Sequence, residues 1–129
     1  MYVRARLERL ALASRVRPHP FEVSVDDLGR VKVVRVQGEV DAATAPRIGE
    51  TVNRLLGMRE RVVLDLRDVD FMDLHGLGVM IRATRRARSD GGSFAIACPA
   101  PCVRRLVELV HAENELRILP DGSDPRDAA

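Results

Sequence analysis

A chain of 129 residues, 46% of them hydrophobic, with a net charge of +2 is sized for one domain around one core. It has no Trp, one Tyr and three Phe, so aliphatic side chains and Ala must fill that core, and an aromatic platform for nucleic acid is excluded. Arginine supplies nearly all the positive charge, with Lys32 the only lysine, and acidic residues almost balance it; this excludes a broad phosphate-binding field, while no apolar run approaches the ~20 residues that cross a bilayer.

Residues 1–20 are Arg-rich, with Val3, Leu7, Leu10 and Ala11 spaced among them. Two readings stand: a short amphipathic helix that packs on a partner or lies on a membrane, or a poorly ordered extension, or overlong start, ahead of Pro18 and Pro20. It lacks the long apolar core of a secretory signal. From Phe21 to Val25 polar and apolar residues alternate, Asp27-Leu28-Gly29-Arg30 reads as a hairpin turn, and Val31 to Val36 as the β-branched return strand, ended by Gly38. Thr44 reads as an N-cap with Pro46 in the first turn, and Ile48, Val52, Leu55 and Leu56 form an apolar helical stripe that Gly57 stops.

Val62-Val63-Leu64-Asp65-Leu66 has the near-continuous apolar character of a strand near the sheet centre. Asp73 can cap a second helix whose inward face is Leu77, Met80, Ile81 and Thr84 and which ends at Asp90-Gly91-Gly92. Ser93 to Ala97 is another strand. After Pro99 and Pro101 comes a third helix with Val103, Leu106, Val107 and Val110 inward, then a short strand Leu116–Leu119 and a flexible tail over 120–129. The order is β-β-α-β-α-β-α-β. This is an α/β fold with a mixed central sheet of about four to five strands and helices packed mainly on one face, because strand–helix–strand crossovers are right-handed.

Two stretches resemble a known family. Asp65-Leu66-Arg67-Asp68-Val69-Asp70-Phe71-Met72-Asp73-Leu74-His75-Gly76-Leu77-Gly78-Val79 is similar to the D-L-x-x-V-x-F-M-D-S-S-G-L-G-V signature of the STAS domain of anti-sigma factor antagonists, and Gly38-Glu39-Val40-Asp41-Ala42-Ala43-Thr44-Ala45 resembles that family's G-E-L-D-x-x-T-A lead-in to the first helix. The spacing and element order agree along residues 21–119. The resemblance implies a single STAS domain that binds an anti-sigma factor, a serine kinase of the histidine-kinase-like ATPase type, and so frees a sigma factor. It also implies that the kinase phosphorylates the serine just before the first glycine of the D-S-S-G segment, which breaks the complex, and that a phosphatase restores it. A helix start suits an added anion, because its free N–H groups and dipole favour negative charge.

Here the two serine positions hold Leu74 and His75, so no hydroxyl remains to be modified. Three readings of His75 follow. The domain is always competent to bind, or is controlled by other means; or His75 is itself phosphorylated or senses pH, though the positive helix end should keep the ring neutral; or it is a tolerated surface residue in a protein with another STAS task. Of the candidate hydroxyls Thr44, Thr51, Thr84 and Ser93, only Thr51 looks free.

The surface expected to meet a partner comprises Asp41, Asp73, Leu74, His75, Gly76, Gly78 and Arg82. Asp41 is either a docking contact or a turn residue that starts the helix. Asp73 is mainly a cap. Gly76 and Gly78 permit close approach of a neighbouring strand or of a partner. Arg82, Arg85, Arg86 and Arg88 are a basic docking strip or an ordinary solvated helix face. Cys98 and Cys102, too few for a disulfide framework, are either small buried hydrophobes or a redox pair, with Cys102 at a helix start that lowers a thiol pKa.

No motif of a phosphate loop, zinc site or nucleophile elbow is present. His19, His75 and His111 lack paired carboxylates or ligand spacing in the sequence, and Asp65, Asp68, Asp70 and Asp73 resemble a calcium loop only superficially. The expectation is a cytosolic binding protein without catalysis, cofactor or metal, with an anti-sigma factor as partner, no nucleic acid or membrane, and room for a homodimer. The alternative is a scaffold or sensor-assembly subunit acting through self-association or small-ligand binding.

Overall fold

The computed structural model describes residues 19–128. The rest of the N-terminal segment, with its two readings, lies outside the described residues. Strands β1 (Glu22–Asp27), β2 (Val31–Val40), β3 (Arg61–Met72) and β4 (Ser93–Ala97) form one sheet in the order β1-β2-β3-β4. β1 pairs antiparallel with β2, and β2–β3 and β3–β4 are parallel. Helices α1 (Ala45–Gly57), α2 (Leu74–Asp90) and α3 (Pro101–Leu109) connect or follow these strands. Each parallel connection joins neighbouring strands, so both crossover helices fall on the same face.

The core lies between that face and the helices. Val34, Val36, Leu64, Leu66, Phe94 and Ile96 meet Ile48 and Val52 of α1, Leu77, Met80 and Ala83 of α2, and Val103 and Val107 of α3, all buried. The expected stripes of α1 and α2 are thus inward, except that Ile81 is only partly buried. Val110 is not inward. It caps the end of α3 and is 43% exposed, because the helix stops at Leu109 before completing the turn that would bury it.

Four boundaries differ from the sequence reading. Gly38 does not end β2 but lies at an irregularity within it, where the register shifts between Gly38 and Glu39. Its φ of 93° and the chain crossing above it demand glycine, since a Cβ would stand 2.8 Å from the backbone of Phe21. Gly57 is the last residue of α1, and the turn beyond it is made by Arg59 in the left-handed region (φ 61°). The Leu116–Leu119 segment forms a single parallel bridge between Ile96 and Ile118, held by Ile96 N–H donating to Arg117 O and Leu119 N–H to Ile96 O, each 2.8 Å. A ladder cannot lengthen there, because Pro120 has no N–H and the 3-10 turn Glu113–Glu115 precedes it. Finally, the segment after Leu119, expected as a flexible tail, carries a second 3-10 turn, Pro125–Asp127, that lies against β2, and Ala128 is buried on the helix-free face of the sheet.

That face also carries a charged row. Asp65 of β3, 2% exposed, accepts from Arg35 of β2 at 2.9 Å and from the Arg67 side chain and N–H at 3.1 Å, while Arg35 also pairs with Asp26 of β1. A buried carboxylate is tolerable only when its lone pairs are filled, as they are here. The Asp65 contacts hold the Arg67 guanidinium in its charged form, raising its pKa.

Candidate functional site

Val40 at the end of β2 pairs with Met72 at the end of β3. The residues that follow, Asp41 and Asp73, therefore leave the sheet side by side at the carboxyl ends of two parallel strands. Asp73 N–H donates to Val40 O at 3.1 Å and stitches the two exits together. Ligands and partners of open α/β sheets meet the protein at such strand ends.

Each aspartate organises the turn that follows it. Asp41 Oδ1 accepts from the N–H groups of Ala43 and Thr44 at 3.0 and 3.2 Å. Thr44 does not cap α1 with its side chain, as the sequence suggested. Its hydroxyl donates to Glu39 O at 2.8 Å and accepts from Asp41 N–H at 2.9 Å, so it clamps the loop back onto β2. Asp73 is the N-cap of α2, with Oδ1 accepting from His75 N–H at 2.8 Å. The same carboxylate lies 3.2 Å from His75 Nδ1, so a negative charge faces the ring on the side of the helix start.

Leu74 and His75 occupy the first turn of α2 and project outward: Leu74 is 61% exposed and the His75 side chain 62%. Gly76 turns the other way. A Cβ there would stand 2.7 Å from Met72 Cγ and from Val40 Cγ1, so this glycine lets the helix sit down on the strand ends and is not available to a partner. Gly78 is covered by its own helix, since a Cβ would lie 3.0 Å from Arg82 Nη1. Of the seven residues expected to meet a partner, the structure brings Leu74, His75 and Arg82 to one surface, with Asp41 and Asp73 half-buried as its local supports.

That surface is the wall of a groove of about 500 Å³ between α1 and α2. The turn before α1 contributes Ala42 and α1 contributes Ala45, Pro46, Gly49, Glu50 and Asn53, and α2 contributes Val79 and Ala83 besides Leu74, His75 and Arg82. The α1 residues were missed in the sequence reading. Their signal is the run of short side chains at Ala45, Pro46 and Gly49, which fall on one face of the helix and leave room where a larger residue would fill the groove; Gly49 leaves the Val79 methyls 3.8 Å from where its Cβ would be. The floor is apolar and the rim carries Glu50, His75 and Arg82.

The arginine strip is less uniform than its sequence. Arg85 pairs with Glu115 at 3.1 Å, and Arg86 donates to Asn53 O at 3.0 Å and to Asp90 at 3.4 Å, tying α2 to the end of α1. Among the described residues Arg82, on the groove, has no ion-pair partner.

Thr84 and Thr51 are both engaged within their own helices. Thr84 is buried and donates to Met80 O at 2.9 Å, and Thr51 donates to Arg47 O at 3.0 Å. Two histidines do meet carboxylates: His75 with Asp73, two residues away, and His19 with Asp70, fifty-one residues away, whose carboxylate takes both the His19 N–H at 2.6 Å and the ring at 3.1 Å. Among the described residues no three His, Cys, Asp or Glu side chains gather as a metal cluster, and no helix is long and apolar enough to cross a membrane.

The thiols face different neighbours. Cys98 Sγ accepts from Arg67 at 3.4 Å, and Cys102 donates to Val69 O at 3.5 Å. Burial pushes the Cys102 thiol pKa up, the opposite of the lowering expected from its place in the first turn of α3; backbone N–H contacts only partly offset it. Since the thiolate is the nucleophile, Cys102 is expected to react with iodoacetamide more slowly than glutathione at pH 8, and to gain rate at more alkaline pH. Peptide mass mapping of the alkylated protein gives the rate. A Cys102 as fast as free thiol at pH 8 would contradict the burial argument.

Residues 22–123 match the family model described as STAS domain. The chain is 32% identical over 91 residues to the anti-sigma F factor antagonist of Paenibacillus polymyxa, covering 69% of this chain and 78% of that one. It is 32% identical over 100 residues to the anti-sigma-B factor antagonist of Listeria monocytogenes, covering 76% and 86%. Among solved structures it resembles an anti-sigma factor antagonist from Mycobacterium paratuberculosis, with a TM-score of 0.73, 25% identity and coverage of 84% and 93%.

Proposed function

Because this chain belongs to the STAS domain family, we propose that it is an anti-sigma factor antagonist that docks through the α1–α2 groove and the exposed first turn of α2. Its partner is an anti-sigma factor of the histidine-kinase-like ATPase type, and capture of that partner frees a sigma factor. The protein acts by binding, in the cytoplasm, and catalyses nothing.

The observation that carries this reading is the corner at Leu74 and His75. An exposed leucine beside an apolar groove, ringed by Glu50, His75 and Arg82, has the composition of a docking site: an apolar anchor within a polar rim. The neighbouring strand ends and the Asp73 cap hold it in place.

His75 stands where the family resemblance puts the phosphoacceptor serine. With no hydroxyl at 74 or 75, and with Thr44, Thr51 and Thr84 engaged in bonds to carbonyl groups, the complex is not dissolved by serine phosphorylation at this corner. The antagonist is instead competent whenever it is present, and control lies in its amount or in another input.

The test is capture of the anti-sigma kinase by wild type and by His75→Ser, with and without ATP. Wild type is expected to retain the kinase in both conditions, and His75→Ser to release it only with ATP, with label on the serine. Phosphate on residues 73–78 of the wild type, or ATP-driven release of wild type, would overturn the reading.

A further inference from the structure

The sheet face that carries no helix is nonetheless covered along one strip. Val31 and Val33 of β2, Val63 of β3 and Ala97 at the end of β4 lie on it, each at most 2% exposed. Val33 and Val63 are direct register partners, so the four make one continuous apolar strip. Packed against it are Leu119 and Ala128, the latter 3% exposed.

This cover is built differently from the rest of the fold. Between Leu119 and Ala128 the regular structure is one three-residue turn. Among the described residues, the backbone hydrogen bonds donated from 121–128 close within the segment itself: Ser123 to Pro120 O at 3.1 Å, Asp127 to Asp124 O at 2.9 Å, and Ala128 to Pro125 O at 3.1 Å. Arg126 pairs with Asp124, two residues away. The described ion pair from the segment to the body joins Arg104 of α3 to Asp121 between exposed side chains, and such pairs hold weakly. The segment can therefore lift without breaking a strand ladder or a helix.

What it would uncover is suited to one occupant. An apolar strip on a sheet face is buried most simply by a second sheet face. Beside it runs the charged row, with half-exposed Asp26 on the β1 side and half-exposed Arg67 on the β3 side. Opposite charges at the two ends of one row are self-complementary under a two-fold rotation, which sets Asp26 of each copy beside Arg67 of the other.

We propose that residues 121–128 form a releasable strap, and that the helix-free sheet face beneath it is a self-association surface for a second copy of this chain, available when the strap lifts. The surface lies on the opposite side of the sheet from the α1–α2 groove, so it does not depend on how that groove is used.

Three measurements test this. Sedimentation of the full chain is expected to give the single-chain mass, whereas a chain ending after Pro120 doubles in mass at about 100 µM and returns to the single-chain value on about hundredfold dilution. Adding Asp26→Arg to the shortened chain should weaken the dimer at least tenfold. In the full chain, the Asp127 and Ala128 amides should exchange with deuterium at least tenfold faster than those of Val33 and Leu64. A shortened chain that folds and stays single, a dimer indifferent to Asp26→Arg, or strap amides that exchange only with the β2–β3 core would each overturn the proposal. So would a shortened chain that cannot fold, because the segment would then be part of the core and not its cover.

Discussion

A Gly76→Val chain is expected to lose about 3 kcal/mol of stability, the upper part of the range for forcing volume into a packed core. The reason is local. A Cβ at Gly76 would come within 2.7 Å of both Met72 Cγ and Val40 Cγ1, and these side chains are themselves 6% and 0% exposed, so neither can swing into solvent. The helix must instead rise off the strand ends, and branching at Cβ adds to the strain on the first turn. Urea denaturation should show a lower midpoint with an unchanged slope. Gly76→Ala should lie between the two chains. A loss under about 0.5 kcal/mol, the level of an ordinary surface change, would mean that the glycine does not seat the helix. Because Leu74 and His75 share that turn, Gly76→Val should also weaken partner capture, an effect that follows from position and not from contact.

Leu74→Asp is expected to do the reverse: to leave stability unchanged while weakening capture of the anti-sigma factor about thirtyfold, equivalent to about 2 kcal/mol for an apolar anchor at an interface centre. Leu74 is 61% exposed, so its replacement opens no cavity. It also stands at the helix start, where a carboxylate is tolerated. Leu109→Asp provides the control. Leu109 is even more exposed, at 71%, but belongs to α3 and does not line the groove. Titration calorimetry with the purified anti-sigma factor measures both. If Leu74→Asp binds like wild type, or if Leu109→Asp loses as much, the docking surface has been placed on the wrong helices.

Much of this architecture was readable from residue order alone, and the reasons are local. The apolar period of Ile48, Val52, Leu55 and Leu56 specifies a one-sided helix wherever it docks. Asp73 before the second apolar stripe specifies a cap, and the Val62–Leu66 run specifies a strand flanked by others. The two family motifs located the corner. Misreadings gathered where a residue answers to something distant in the chain. Gly38 has the look of a terminator in the sequence, but its neighbour in space is Phe21. Thr44 has the residue type of a helix cap, but it bonds to Glu39 and Asp41. The helix position of Cys102 points to a lowered thiol pKa, whereas burial decides it.

The pairing of Asp73 with His75 spans two residues and follows from the cap itself, while that of His19 with Asp70 spans fifty-one and required the fold. The α1 wall of the groove is intermediate: its small residues stand in the sequence, yet smallness becomes a cavity only when a second helix passes beside it.

By itself, then, the order of amino acids determined the elements, their sequence around one sheet and the absence of a hydroxyl at 74 and 75, because each depends on side-chain type and short spacing. The tertiary structure decided which residues of the α2 start face outward, which glycine seats the helix, and that Leu119 and Ala128 cover an apolar strip on the second face of the sheet. Those are matters of what lies across a gap of a few ångströms, and a chain acquires such neighbours only by folding.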